Sequence, residues 1–104
     1  MSLRSQIHLA RGNKHLDDGD LEKAESAFRK ATEADSKSSV SWYNLGLVYK
    51  FRKDWAQSLI CNQRATETNP KNEAAWWNMG IAATALSKWP EARRAWIDFG
   101  LNNL

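Results

Sequence analysis

The sequence predicts an all-α chain built from stacked antiparallel helical hairpins. Three observations carry that expectation. Alanine, leucine, lysine, arginine and glutamate are plentiful, and only five Gly and two Pro interrupt 104 residues, a balance that favours helix. Apolar residues recur near a period of 3.6: Val40, Tyr43, Leu47 and Phe51 on one face, Trp42, Leu45 and Tyr49 on another. Most telling, the chain repeats itself every 34 residues (46 − 12 and 80 − 46). Gly12, Gly46 and Gly80 share one column, Leu21, Trp55 and Trp89 a second, and Ala31 and Ala65 a third.

The repeating units are 5–38, 39–72 and 73–104, read together as one domain over 1–104. In each unit an amphipathic segment is broken by a short polar turn, "DDGD", "RKD" or "SKWP", and then resumes. Asp20 and Asp54 are suited to cap the second helices, because a carboxylate accepts from free first-turn amides. Pro90 fits a first helical turn, where its missing N–H costs little. "NPKN" at 69–72 separates the second and third units. Six helices in three hairpins result. One hairpin cannot bury its apolar faces alone, so stacking must supply the core. The glycine and alanine columns permit close helix approach, and the aromatic columns fill the space between units.

The signature residues of the second unit are Trp42, Leu45, Gly46, Tyr49, Ala65 and Pro70. The third offers Trp76, Met79, Gly80, Ala92, Ala95 and Trp96, the first Gly12, Ala24, Ala27, Phe28 and Ala31. In spacing and identity this resembles the tetratricopeptide repeat (TPR) family over residues 5–104. The resemblance implies a right-handed superhelix of stacked hairpins in which the first helix of each unit lines a concave groove. Some positions depart from the pattern. His8 and His15 replace the tryptophan and tyrosine, marking the first unit as terminal in character. Asn62 replaces the large apolar residue supplied elsewhere by Phe28 and Trp96. Phe99 stands in the column of Ala31 and Ala65 and is expected to end the regular array. The helix "PEARRAWIDFG" is expected to leave part of its apolar face bare.

Composition excludes several function classes. Apolar residues are 42% and charged residues 26% of the chain, the mix of a globular domain. No apolar run reaches membrane-spanning length, and no signal-peptide pattern opens the sequence. A cytoplasmic location without membrane association is therefore expected. The formal charge is +3. Units one to three carry six, five and three Lys/Arg against seven, two and three Asp/Glu. The central unit is thus the basic one, without the dense stripe of a nucleic-acid binder, and no nucleic-acid partner is expected.

Catalytic and metal-binding patterns are lacking. His8 and His15 lie about 10.5 Å apart along one helix, too far to share a metal, and read as occupants of structural aromatic positions. Cys61 has no histidine nearby in sequence and reads as a small buried residue. "LDDGDLE" at 16–22 lacks the alternating ligands and terminal glutamate of a calcium loop. The chain is read as non-catalytic, with no cofactor and no metal.

Neighbouring residues on a helix point about 100° apart, so Trp76 and Trp77 divide their roles. Trp76, in register with Trp42 and His8, falls on the stripe that packs helix to helix. Trp77, in register with Tyr43 and Leu9, falls on the face turned to the groove. The groove lining implied by the register comprises Leu9 and Asn13, then Tyr43, Asn44, Leu47 and Lys50, then Trp77, Asn78 and Ile81. By the same register Gln6, Asp17, Val40, Phe51 and Ala74 also face it. Aromatic and aliphatic surface alternates with primary amides, which both donate to and accept from a peptide backbone, and rigid aromatics make good anchors. One TPR subtype holds the acidic C-termini of heat-shock chaperones with a clamp of two lysines, two asparagines and an arginine. Asn13 and Asn44 match its asparagines, but Leu9 and Ala74 stand at the lysine places and Asn78 at the arginine place, so that ligand is not expected. The expected function is a protein-interaction module that binds a peptide segment or partner helix in its groove. The alternatives are homo-oligomerisation through the C-terminal helix, or a regulatory part of a longer protein.

Overall fold

The computed structural model describes residues 2–99, with Asp98 and Phe99 described by backbone alone. The expectation placed on the Phe99 side chain thus lies outside the described residues. Six helices follow one another: α1 (Leu3–Asp17), α2 (Leu21–Ala34), α3 (Ser39–Phe51), α4 (Trp55–Thr68), α5 (Glu73–Ala85) and α6 (Trp89–Phe99). They pair as α1/α2, α3/α4 and α5/α6, and α2 packs on α3 and α4 on α5.

Five of the six helix starts are capped by a side chain. Asp20 accepts from the Lys23 amide at 3.0 Å and Asp54 from the Gln57 amide at 3.2 Å, as the sequence predicts. Ser2, Ser38 and Asn72 cap α1, α3 and α5 in the same way. Each hairpin turns through one left-handed residue in a common column: Gly19 (φ 79°), Lys53 (φ 60°) and Ser87 (φ 59°). Glycine alone adopts that conformation freely.

The glycine column is the contact point within each hairpin. A Cβ on Gly46 would stand 2.8 Å from Asn62 Nδ2, and Cβ atoms on Gly12 and Gly80 would collide with the rings of Phe28 and Trp96. One side chain of each second helix, Phe28, Asn62 or Trp96, thus lies directly on the first helix's backbone. Between units, Leu9, Ala24, Phe28, Ala31, Leu45, Val48, Tyr49 and Cys61 form one core cluster. Leu59 joins Ala82, Ala83 and Ala92 in a second.

Polar contacts repeat with the units. Ser5 Oγ donates to the Ala31 carbonyl at 3.1 Å and Ser39 Oγ to the Ala65 carbonyl at 2.7 Å, tying the starts of α1 and α3 to the ends of α2 and α4. Trp42 and Trp76 are half-buried rather than wholly interior. Their indole N–H groups donate to the Ser36 carbonyl at 2.8 Å and the Pro70 carbonyl at 2.7 Å, fastening each linker to the helix that follows it. Glu25 on α2 receives Arg29 at 2.9 Å and Arg52 at 2.6 Å, and Arg29 also donates to the Tyr49 hydroxyl.

Two interior groups are chemically unusual. Asn62 is wholly buried. Its Nδ2 donates to the Ser58 carbonyl at 2.8 Å, and its Oδ1 has no partner among the described residues. Burial pushes the Cys61 thiol from 9.0 up to about 12. It also raises the Tyr49 hydroxyl, with Glu25 adding to the shift.

Replacing Asn62 by Leu is expected to stabilise the fold by about 1–2 kcal/mol, because it removes a buried acceptor without a donor; urea denaturation measures this. Lys53→Gly should add up to about 1 kcal/mol by relieving the left-handed backbone. Cys61 and Tyr49 stay protonated in the fold at pH values where the unfolded chain has begun to lose those protons. Stability is therefore complete below pH 9 and falls as pH rises from 9 towards 12. A flat unfolding free energy across that interval would count against the buried, neutral thiol.

Candidate functional site: the concave face

The shape of the array follows from which helices touch. The first helices meet one another, α1 with α3 and α3 with α5, whereas among the described residues α2 does not meet α4 and α4 does not meet α6. First helices converge and second helices splay, so the first helices line the concave side.

Most of the sequence-derived lining retains exposed surface. Tyr43, Asn44, Leu47, Lys50 and Ile81 are half-buried, Asn13 is exposed, and Trp77 retains 46% of its surface. Val40 and Phe51 extend the apolar surface at 50% and 53% exposure.

Two assigned positions differ from the sequence expectation. Leu9 is 8% exposed and belongs to the first core cluster, where side chains of α2 and α3 cover it. Asn78 is 5% exposed. Its column occupies the seam between successive first helices, and Lys50 Nζ on α3 donates to its Oδ1 at 3.3 Å. The preceding seam carries the equivalent contact, Asn44 Nδ2 to Asn13 Oδ1 at 3.5 Å. The amides thus tie first helix to first helix, and Asn78 in particular is withdrawn from the open surface.

Trp77 is held from behind. Its ring centroid lies 6.0 Å from that of Trp96 on α6, with the planes inclined at 42°, a tilted geometry favourable to aromatic pairs. Trp96 was missed as a contributor, although its place in the Phe28 column puts it over Gly80, three residues beyond Trp77. A group already fixed against a neighbour loses less freedom when a ligand covers it.

The flanking chemistry is bland. The described residues contain no group of three His, Cys, Asp or Glu placed to hold a metal ion. None of their helices is long and apolar enough to cross a membrane. Cys61 is buried and its thiol is held neutral, as expected for a packing residue.

Comparison with known proteins agrees with this architecture. A model of the tetratricopeptide repeat family matches residues 9–60. The chain belongs to that family. The TPR domains of solved structures share its superhelical fold. The second TPR of Spaghetti (RPAP3), bound to the HSP90 peptide SRMEEVD, superposes with a TM-score of 0.89 at 20% identity, covering 93% of this chain and 90% of that one. The TPR2B domain of yeast Sti1, in a complex with pHsp70, gives 0.89 at 14% identity over 98% and 86%. The Arabidopsis OM64 TPR domain gives 0.86 at 18% identity over 92% and 79%. These likenesses concern the fold. No curated protein sequence matches the chain significantly.

The seam between α3 and α5 can be tested on its own. Lys50→Met leaves the buried Asn78 oxygen without its donor and is expected to cost about 1 kcal/mol. Adding Asn78→Leu should recover most of that loss, as a double-mutant cycle followed by denaturant unfolding will show.

Proposed function

We propose that this TPR domain is a non-catalytic module that binds a peptide segment or partner helix along its concave face. The observation that carries the reading is the apolar surface left open at Tyr43, Leu47 and Phe51 on α3 and at Trp77 and Ile81 on α5, with Trp77 backed by Trp96. TPR domains are protein-interaction modules, and structural neighbours are seen with an HSP90 peptide and in a pHsp70 complex.

The ligand favoured here differs from an acidic chaperone tail. Leu9, Ala74 and Asn78 occupy the places where a carboxylate clamp needs cations, and Leu9 and Asn78 are themselves buried. A terminal carboxylate would lack charge-assisted partners there. Lys50 is the lining cation, and it is engaged with Asn78. Apolar side chains presented by a partner suit this surface better than a run of acids.

A second reading is self-association through α6, favoured by the exposure of Trp89 at 58% and Ile97 at 41%. Light scattering of a Trp89→Glu, Ile97→Glu variant against the parent separates it from the first.

Tyr43→Ala combined with Trp77→Ala is expected to preserve the helical circular dichroism spectrum and weaken partner binding by about 2–4 kcal/mol, as hot-spot truncations do. Proteins recovered by wild type and lost with the double variant identify the partner. Unchanged recovery would sink the groove reading. The peptide SRMEEVD should bind no better than a scrambled control, and tight binding would overturn the exclusion of acidic tails.

A further inference from the structure

The repeat register exposes a second surface, on the opposite side of α1 from Asn13. In the inner units, the leading face of each first helix is covered by the second helix of the unit before: α2 covers α3, and α4 covers α5. Leu45, Val48 and Tyr49 are therefore buried at 4%, 0% and 6% exposure. The same columns in the first unit hold Arg11, Lys14 and His15. Arg11 and Lys14 are exposed and His15 is half-exposed. His8, expected to fill a structural aromatic position, is likewise half-exposed and lines an outer cleft.

The substitution is systematic. Arg4, His8, Arg11 and His15 follow one another at steps of three or four residues, making a stripe about 16 Å long on α1. Lys23 and Lys30 of α2 form the other wall of a shallow furrow floored by Ser26 and Ala27. Glu33 stands at one end beside Arg4. Asp18 and Asp20 lie 3.9 Å from Lys14 and Lys23. No carboxylate among the described residues pairs with Arg4, Arg11 or Lys30. Next to the stripe, Leu3 and Ile7 are 72% and 44% exposed.

We propose that this face docks an acidic amphipathic helix of a partner protein, lying along α1 as α2 lies along α3. Arg4 and Arg11, two turns apart on α1, face Lys23 and Lys30, two turns apart on α2; beside two aliphatic side chains they complement a helix that carries acids on one edge and apolar residues on the next. A nucleic acid fits less well, because this face offers no Trp, Tyr or Phe platform for its bases. A bilayer fits less well too, because two aliphatic side chains bury little area in lipid. The surface is independent of the concave face, so either can fail without the other.

The test uses a fluorescently labelled amphipathic peptide of about 15 residues, with glutamates at helical i, i+4, i+7 and i+11 spacing beside leucines. A scrambled peptide of the same composition is the control. Fluorescence anisotropy is expected to show binding by the patterned peptide, at least about tenfold weaker in Arg11→Glu with Lys30→Glu and unchanged in Tyr43→Ala with Trp77→Ala. Circular dichroism verifies folding, and Arg11→Gln with Lys30→Gln replaces the charge reversal if that variant unfolds. Equal binding of the scrambled peptide overturns the proposal, as does indifference to the α1 and α2 substitutions. It is also overturned if single-stranded oligouridine or phosphatidylserine vesicles bind this face more tightly than the patterned peptide.

Discussion

Everything in this molecule depends on the contact between one large side chain and one glycine in each hairpin. Phe28 lies on Gly12, Asn62 on Gly46 and Trp96 on Gly80. The absent Cβ brings two helices close enough to share a core, and the big side chain fills the space so created. Interiors are packed as densely as crystals, so this pair sets the distance within every hairpin. The hairpins then stack, α2 on α3 and α4 on α5. The first helices converge, the second helices splay, and a concave face results. The middle unit meets the same constraint with an amide, which fills the volume but leaves an oxygen without a partner.

A single column of the repeat illustrates how the array turns one sequence position into several environments. Leu9, Tyr43 and Trp77 are equivalent by register. Leu9 disappears into the core, Tyr43 is half-covered, and Trp77 keeps nearly half its surface. The backbone places all three alike, and the difference comes from side-chain length and from what packs alongside. Leucine is short enough to be enclosed by α2 and α3. Tryptophan reaches past its neighbours and rests on Trp96. The asparagine column behaves similarly: Asn44 remains half-open, whereas Asn78 is closed over by the longer Lys50.

The two ends of the array differ in kind. The α1 columns equivalent to the buried Leu45, Val48 and Tyr49 hold Arg11, Lys14 and His15 instead. At the other end, α6 presents Trp89 and Ile97. The linkers between units are held by the same device twice, an indole N–H bonded to a carbonyl six residues earlier. The tryptophan column thereby fixes the angle between units as well as filling space.

The sequence by itself determined the helical class, the 34-residue period, the three hairpins and the second-helix caps at Asp20 and Asp54. These depend on local chemistry and on spacing, both of which survive in a linear reading. It also separated Trp76 from Trp77, since adjacent residues on a helix must diverge. Only the tertiary structure decided which groove-facing positions remain open. Burial depends on what a neighbouring helix lays over a residue, and register says nothing about how far a lysine or tryptophan from the next unit will reach. For that reason Leu9 and Asn78 moved inward, Trp96 emerged as the support of Trp77, and the histidines of the first unit proved to belong to a surface rather than a core.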